Sequence, residues 1–268
     1  MKRKRFFIIP VFIPFGGCPE KCVFCDQRGI TGEKGLPSVE DVSDTIEAHL
    51  STWKGARPLR SEAAFYGGSF TALPLQTQIS FLEAAHKYVL DGRLDCLRVS
   101  TRPDRISKEA LDLLGRFKVE TIELGVQTMS DEALKLSGRG HTRSHTVESV
   151  RLLKEMGFEV GLQLMPGLPG DTAESIQETT QEVISLAPDF VRVYPTLVLK
   201  GTALDDMYAT GRYTPWTLED MVKVCGQMQR QFNNAGIRVI RFGLQPTISL
   251  EASLVAGPYH PAFRDLLV

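Results

Sequence analysis

Several things are scarce in this 268-residue sequence, and each scarcity excludes something. No apolar run is long enough to span a bilayer, so no membrane partner is expected. Neither sign of charge is in excess: 31 Lys and Arg against 32 Asp and Glu leave a net charge of −1. No global field therefore draws the chain onto nucleic acid or an acidic membrane. Cysteines number only five, and three of them share one loop, which fits a reducing cytosol and a cytoplasmic location rather than a secreted disulfide scaffold. The first helix does not open on G-x-G-x-x-G, which weighs against a dinucleotide-binding domain. Internal repeats, low-complexity segments and linkers are also missing. What remains is an ordinary globular composition, 43% hydrophobic and 24% charged, with length for one large domain or two small ones.

The loop that gathers the cysteines is Cys18-Pro19-Glu20-Lys21-Cys22-Val23-Phe24-Cys25, spaced C-x3-C-x2-C. So short a loop can turn three sulfurs toward one point. A structural zinc site closes with four protein ligands, and His49 lies far outside the loop, so zinc would have to recruit a distant residue such as His141 or His145. An iron–sulfur cluster held by three thiolates leaves one iron open to a ligand. A lipid-modified cysteine is the other reading. Lys2–Arg5, Phe6–Phe15 and Gly16-Gly17-Cys18 mimic that signal, but Pro10 and Pro14 interrupt the apolar run and two further cysteines stay unexplained. The cluster accounts for all three thiols. Cys96 and Cys225 read as small buried residues.

Along the chain, strand and helix patterns alternate. Strands are expected at Arg5–Ile13, Glu62–Tyr66, Cys96–Thr101, Val119–Val126, Glu159–Met165, Phe190–Tyr194 and Ile237–Ile240. Helices are expected from Ser38 to Trp53, over Pro74–Leu90, from Ser107 to Phe117, and over Ser130–Ser137 and Thr142–Met156. Two more run from a cap at Asp171 to Leu186 and over Thr217–Ala235. Six strand–helix units and one further strand make an α/β protein, either an open doubly wound sheet or a partial barrel. The sequence ends at Pro261–Val268 in a helix-like stretch, as a trimmed or a frayed terminus would.

In parallel α/β folds ligands collect at the C-terminal strand ends, and the unusual motifs fall there. Gly67-Gly68-Ser69 lets backbone approach a ligand closely. Thr101-Arg102-Pro103-Asp104 ends the third strand, Gly125-Val126-Gln127 the fourth, and Gly167-Leu168-Pro169 the fifth. Arg139 can clamp a carboxylate, although charge alone fits a surface arginine as well. Gln127 and Gln163 are inward amides that need partners. Phe24 can cover a base or simply join the core. Lys200 can act in the pocket as acid, base or anion clamp, or be solvated. Tyr194 can relay a proton or a radical, or be a buried tyrosine with a satisfied hydroxyl.

The cysteine spacing, with an aromatic before the third thiol, resembles the radical S-adenosylmethionine (SAM) superfamily. That resemblance implies a (β/α)6 partial TIM barrel over residues 1–240 and a short C-terminal extension over 241–268, which would be truncated if the sequence is a trimmed one. It further implies a [4Fe–4S] cluster on Cys18, Cys22 and Cys25, whose open iron binds SAM and cleaves it to a 5′-deoxyadenosyl radical. The SAM cradle would comprise Phe24, Gly67, Gly68, Ser69, Thr101, Gln127, Arg139, Gln163 and Gly167, with Lys200 and Tyr194 as catalytic candidates. A flavodoxin or ferredoxin would serve as electron donor.

Within residues 60–215 the motifs, together with Arg139-Gly140-His141-Thr142 and Tyr194–Thr202, are similar to the catalytic subunit of Elongator. This implies tRNA as a partner and a uridine as substrate. The match departs from that family in its short first cysteine gap, in Ser100 where a glutamate is usual, and in having neither an acetyltransferase domain nor a long basic N-terminal region. The cysteine spacing, G-V-Q and G-L-P also resemble the oxygen-independent coproporphyrinogen oxidases, which implies a small molecule such as a porphyrin as the alternative substrate. A non-catalytic iron–sulfur or zinc module serving a partner is the alternative outside enzymes.

Overall fold

The computed structural model describes residues 6–18, 22–26, 35–55 and 58–267. The basic Met1–Arg5 end and Gly29 and Gly32 of the cysteine loop lie outside the described residues. Seven parallel strands form one curled sheet in the spatial order of the chain. They are β1 (Phe6–Phe12), β2 (Arg60–Tyr66), β3 (Cys96–Thr101), β4 (Val119–Gln127), β5 (Glu159–Leu164), β6 (Phe190–Val193) and β8 (Arg238–Phe242). Among the described residues the two ends of the sheet do not pair with each other, so the protein is a partial barrel, as expected. Pro10 is tolerated because β1 is an edge strand, pairing among the described residues with β2 alone.

Helices cover the outside: α1 (Val39–Ser51), α2 (Leu75–Leu90), α3 (Lys108–Arg116), α4 (Asp131–Leu136), α5 (Arg143–Glu155), α6 (Ala173–Leu186), α7 (Ala203–Ala209), α8 (Leu218–Asn234) and α9 (Ile248–Ser253). The apolar stripes of the long helices face the sheet, whereas Leu204 of α7 packs with Val198 and Tyr213, and Leu250 of α9 with Leu197 and Leu199. In α8 the buried residues Met221, Cys225, Met228 and Phe232 recur at helical spacing. Both ordinary cysteines, Cys96 and Cys225, are fully buried as expected. Caps fall where short polar residues precede the periodic runs. Ser38 forms a reciprocal capping box with Asp41, and the Ser107 hydroxyl accepts from the Ala110 amide.

Two expectations need correction, and one element was not visible in the sequence. Thr172, not Asp171, caps α6, because its hydroxyl accepts from the Ser175 amide. Asp171 turns back instead, and its Oδ2 accepts from the amides of Gly167 and Leu168 at 3.1 and 3.0 Å. The last strand of the sheet spans Arg238–Phe242, where Ile237–Ile240 was expected. Beyond β6 the chain also forms a small antiparallel pair, β7 (Val198–Leu199) with β9 (Leu254–Ala256), too short to show in the sequence pattern. This pair ties the 196–202 segment to the C-terminal region and builds one side of the barrel mouth. Among the described residues no helix is long and apolar enough to cross a membrane.

Candidate active site

The interior of the barrel is polar where the sequence alternates. Glu62, Arg98, Glu123 and Arg192 point inward from four strands and form one buried chain of ion pairs. Arg98 donates from Nε and Nη2 to Glu62 at 2.7 and 3.0 Å and from Nη1 to Glu123 at 2.7 Å. Arg192 donates to Glu123 from β6, and the Tyr66 hydroxyl donates to Glu123 at 3.0 Å. Two carboxylates and two guanidiniums balance, which is how charges survive burial. Burial pushes the Glu123 carboxyl up, but Arg192 and Arg98 outweigh it and hold it below the usual carboxylate range. The Phe190 ring fits beneath because residue 161 is glycine; a Cβ there would collide with the ring.

Above this floor lies a cavity of about 320 Å³ at the C-terminal strand ends. All three loop cysteines line it, together with Phe24, Gly67, Gly68, Thr101, Gln127, Arg139, Gln163 and Tyr194. The loop is stitched to β2 by backbone bonds, from the Phe15 amide to the Gly67 carbonyl at 3.0 Å and from the Ser69 amide to the Gly16 carbonyl at 2.7 Å. Residue 68 must be glycine for this approach, since a Cβ would meet the carbonyl oxygens of Gly16 and Ile13. Cys22 is buried, whereas Cys18 and Cys25 are half-buried. Burial pushes the Cys18 thiol up, with the neighbouring Cys22 adding to it, while Arg139, Arg102 and the Ser69 amide oppose.

The thiols share a cavity without converging on one point. Among the described residues no three His, Cys, Asp or Glu side chains could hold a single metal ion. Of the two histidines a zinc site would recruit, His145 Nδ1 accepts from the Thr142 amide, and His141 Nε2 lies 3.2 Å from the Val126 carbonyl while its Nδ1 is buried without a partner. A multi-iron cluster spreads its thiolates over separate irons and needs no such convergence. Two polar atoms on the wall support a ligand beside the thiols. Gln127 Oε1 and Arg139 Nε are buried and without a hydrogen-bond partner, a costly state that a polar ligand would relieve. Gln127 is presented from a left-handed backbone, φ 68°, at a register shift that ends β4.

Other expected residues stand elsewhere. Ser69 is fully buried behind the wall, with its hydroxyl 3.0 Å from that of Thr101 and accepting from the Arg102 amide at 3.2 Å. Gly167 does not line the cavity; its carbonyl accepts the Tyr213 hydroxyl at 2.6 Å. Lys200 is exposed in the turn after β7 and does not face the cavity, because that turn carries it outward. Gln163 spends its amide hydrogens inside the wall, on Ser100 Oγ and Glu123 Oε2 at 3.3 and 3.0 Å. Phe24 does both things expected of it, lining the cavity and packing beside Val198, Leu204 and Tyr213. Tyr194 lies on the wall, and burial raises its hydroxyl. Ser100, noted in the sequence only as a departure from the Elongator pattern, stands on the cavity floor; sequence reasoning missed Tyr66 and Arg192 beside it and Met165, Leu197 and Leu244 on the apolar side.

Comparison with known proteins agrees with this geometry. The model of the Radical SAM superfamily matches residues 12–183, and that of the Radical_SAM C-terminal domain matches 188–268. A tRNA uridine(34) acetyltransferase of Methanocaldococcus infernus is 32% identical over 256 residues, covering 81% of this chain and 48% of that protein. The solved structure of the archaeal Methanocaldococcus infernus Elp3 with an N-terminal deletion superposes with a TM-score of 0.77 at 23% identity, over 98% of this chain and 61% of that one. Coproporphyrinogen III oxidase (HemN) of Escherichia coli superposes with a TM-score of 0.61 at 21% identity, over 87% and 53%. The chain thus spans about half the length of the curated relatives it matches.

Proposed function

The chain belongs to the radical SAM superfamily, and from that we propose that it is an enzyme holding a [4Fe–4S] cluster on Cys18, Cys22 and Cys25 with SAM beside it, and that its substrate is a uridine of tRNA. The observation that carries the cofactor reading is the meeting of three thiols with the unpartnered Arg139 Nε and Gln127 Oε1 on one wall. When bound, cluster and SAM together supply one-electron cleavage to a 5′-deoxyadenosyl radical.

The chain's own residues bind, orient and exclude water. Arg139 and Gln127 offer a charged donor and a carbonyl acceptor to the amino-acid and ribose parts of SAM. Gly67 and Gly68 allow backbone contact, and Thr101, backed by Ser69, supplies a hydroxyl to the same wall. Phe12, Phe15, Phe24, Leu197 and Leu244 give an apolar side that keeps water from a reactive intermediate. Tyr194 keeps its proton at neutral pH and is the remaining catalytic candidate on the wall; Lys200, exposed and turned away from the cavity, would act only as an anion clamp outside it. The barrel proper would comprise residues 1–240 and the extension 241–268, with flavodoxin or ferredoxin as electron donor in the cytoplasm.

The tRNA substrate is supported by the relatives' names and by the likeness in sequence across most of the chain. The apolar side of the cavity favours a second reading, a small molecule enclosed in the barrel. Adding bulk tRNA to the anaerobically reconstituted, dithionite-reduced protein tests the choice. Under the tRNA reading, 5′-deoxyadenosine rises and a modified uridine is detected in digested tRNA. Production indifferent to tRNA, with no modified nucleoside, contradicts it and favours the small molecule.

A further inference from the structure

Arg139 has an unusual set of neighbours. Its Nη1 donates to the sulfur of Cys22 at 3.3 Å, its Nη2 donates to the Gly125 carbonyl, and its Nε is buried without a partner. The planar guanidinium therefore divides two edges between a thiol and the end of β4, and its third, at Nε, is buried beside the cavity-lining residues without a partner. Its residue is only 6% exposed, and Cys22 is the most buried of the three loop thiols. The seat is fitted to the side chain: a Cβ at Gly125 would stand 3.2 Å from Nη2. The backbone of α4 fixes the approach, since the Arg139 amide donates to Leu134 and the Val23 amide, next to Cys22, donates to Ser137 at the end of the same helix.

We propose that Arg139 is a positioning residue of the cluster, which hydrogen-bonds the Cys22 sulfur and thereby raises the cluster's reduction potential. This rests on the cluster reading above and goes beyond a role in gripping SAM. Reduction adds a negative charge to the cluster and its thiolates. A buried cation donating to one of those sulfurs stabilises the reduced form more than the oxidised one. The low local dielectric strengthens the effect, and water cannot replace the donor at a buried sulfur. The Nε edge stays available to SAM, so one side chain touches both cofactors and fixes their relative position.

The test is a potentiometric titration, followed by electron paramagnetic resonance, of the anaerobically reconstituted full chain without SAM. Arg139→Gln, Arg139→Lys and Gly125→Ala are compared with wild type at matched iron and sulfide content. The expected result is a shift to more negative potential, largest for Arg139→Gln, which loses the charge, and smaller for Arg139→Lys, which keeps it. Gly125→Ala, whose Cβ would stand 3.2 Å from Arg139 Nη2 and also touch the Gln127 amide at 3.4 Å, is expected to shift in the same direction. Unchanged potentials in all three overturn the proposal. So does loss of iron from both Arg139 variants with Gly125→Ala at the wild-type potential, since Arg139 would then merely hold the loop. A wild-type protein that assembles no [4Fe–4S] cluster sinks the cofactor reading itself.

Discussion

Arg192 on β6 reaches across β5 to hold Glu123 on β4, with Nε 2.8 Å from Oε2 and Nη2 3.1 Å from Oε1. This contact closes the chain of charges that begins at Glu62 and puts a rigid polar floor under the cavity. Breaking a buried pair from one side leaves uncompensated charge. Glu123→Gln is expected to lower stability by about 3 kcal/mol, measured by urea unfolding; a loss within about 0.5 kcal/mol, typical of surface sites, contradicts a structural role for the floor.

Gly68 is where the cysteine loop presses on β2. An added Cβ meets backbone oxygens of Ile13 and Gly16, which cannot swing away as a side chain could. Gly68→Ala is therefore expected to displace the loop, and iron bound after anaerobic reconstitution should fall to less than half of wild type. Full iron content in a folded variant would show that the close approach is dispensable.

Gln127 offers the cavity a buried, unpartnered carbonyl oxygen. Removing one hydrogen bond to a ligand costs about 1–1.5 kcal/mol, so Gln127→Ala should weaken SAM binding by about tenfold at unchanged iron content. Equilibrium dialysis of the reconstituted protein reads both quantities. Wild-type affinity would remove Gln127 from the cradle.

Asp171 gives a pH dependence. Burial pushes its carboxyl up to about 6, against the amides of Gly167 and Leu168 and the Ser175 hydroxyl. The folded protein then holds this proton more tightly than the unfolded chain. Stability from the group is full below about pH 4 and is lost as pH rises to about 6. The displacement corresponds to at most about 3 kcal/mol. Asp171→Asn should flatten the stability profile across that window, as measured by urea unfolding from pH 4 to 7. A profile parallel to wild type contradicts this.

The order of strands and helices was legible because parallel strands and amphipathic helices differ so clearly in period. The ligand wall was legible because glycines, glutamines and cysteines fell at consecutive strand ends. The floor was missed although its signal was present: Arg98 and Ser100, Thr121 and Glu123, and Arg192 and Tyr194 at a spacing of two, and Glu62 and Tyr66 at four, keep polar residues on one face of apolar strands. Such a pattern in a sheet buried on both faces requires mutual pairing inside the barrel. Asp171 looked like a cap because acidic residues before helices usually are; only tertiary structure shows its carboxylate bent back to Gly167. For Lys200 the apolar Leu199 before it left both a pocket and a solvated position open, and in the turn after β7 it is the solvated one that is found.

The central claim is that three thiols of one loop hold a redox cluster that acts on SAM. The most direct measurement is 5′-deoxyadenosine formed from SAM by anaerobically reconstituted, dithionite-reduced protein, for wild type and for Cys22→Ala. The account predicts 5′-deoxyadenosine from wild type and none above background from the variant. Equal production by the two, or none from a wild type with an intact cluster, would contradict it.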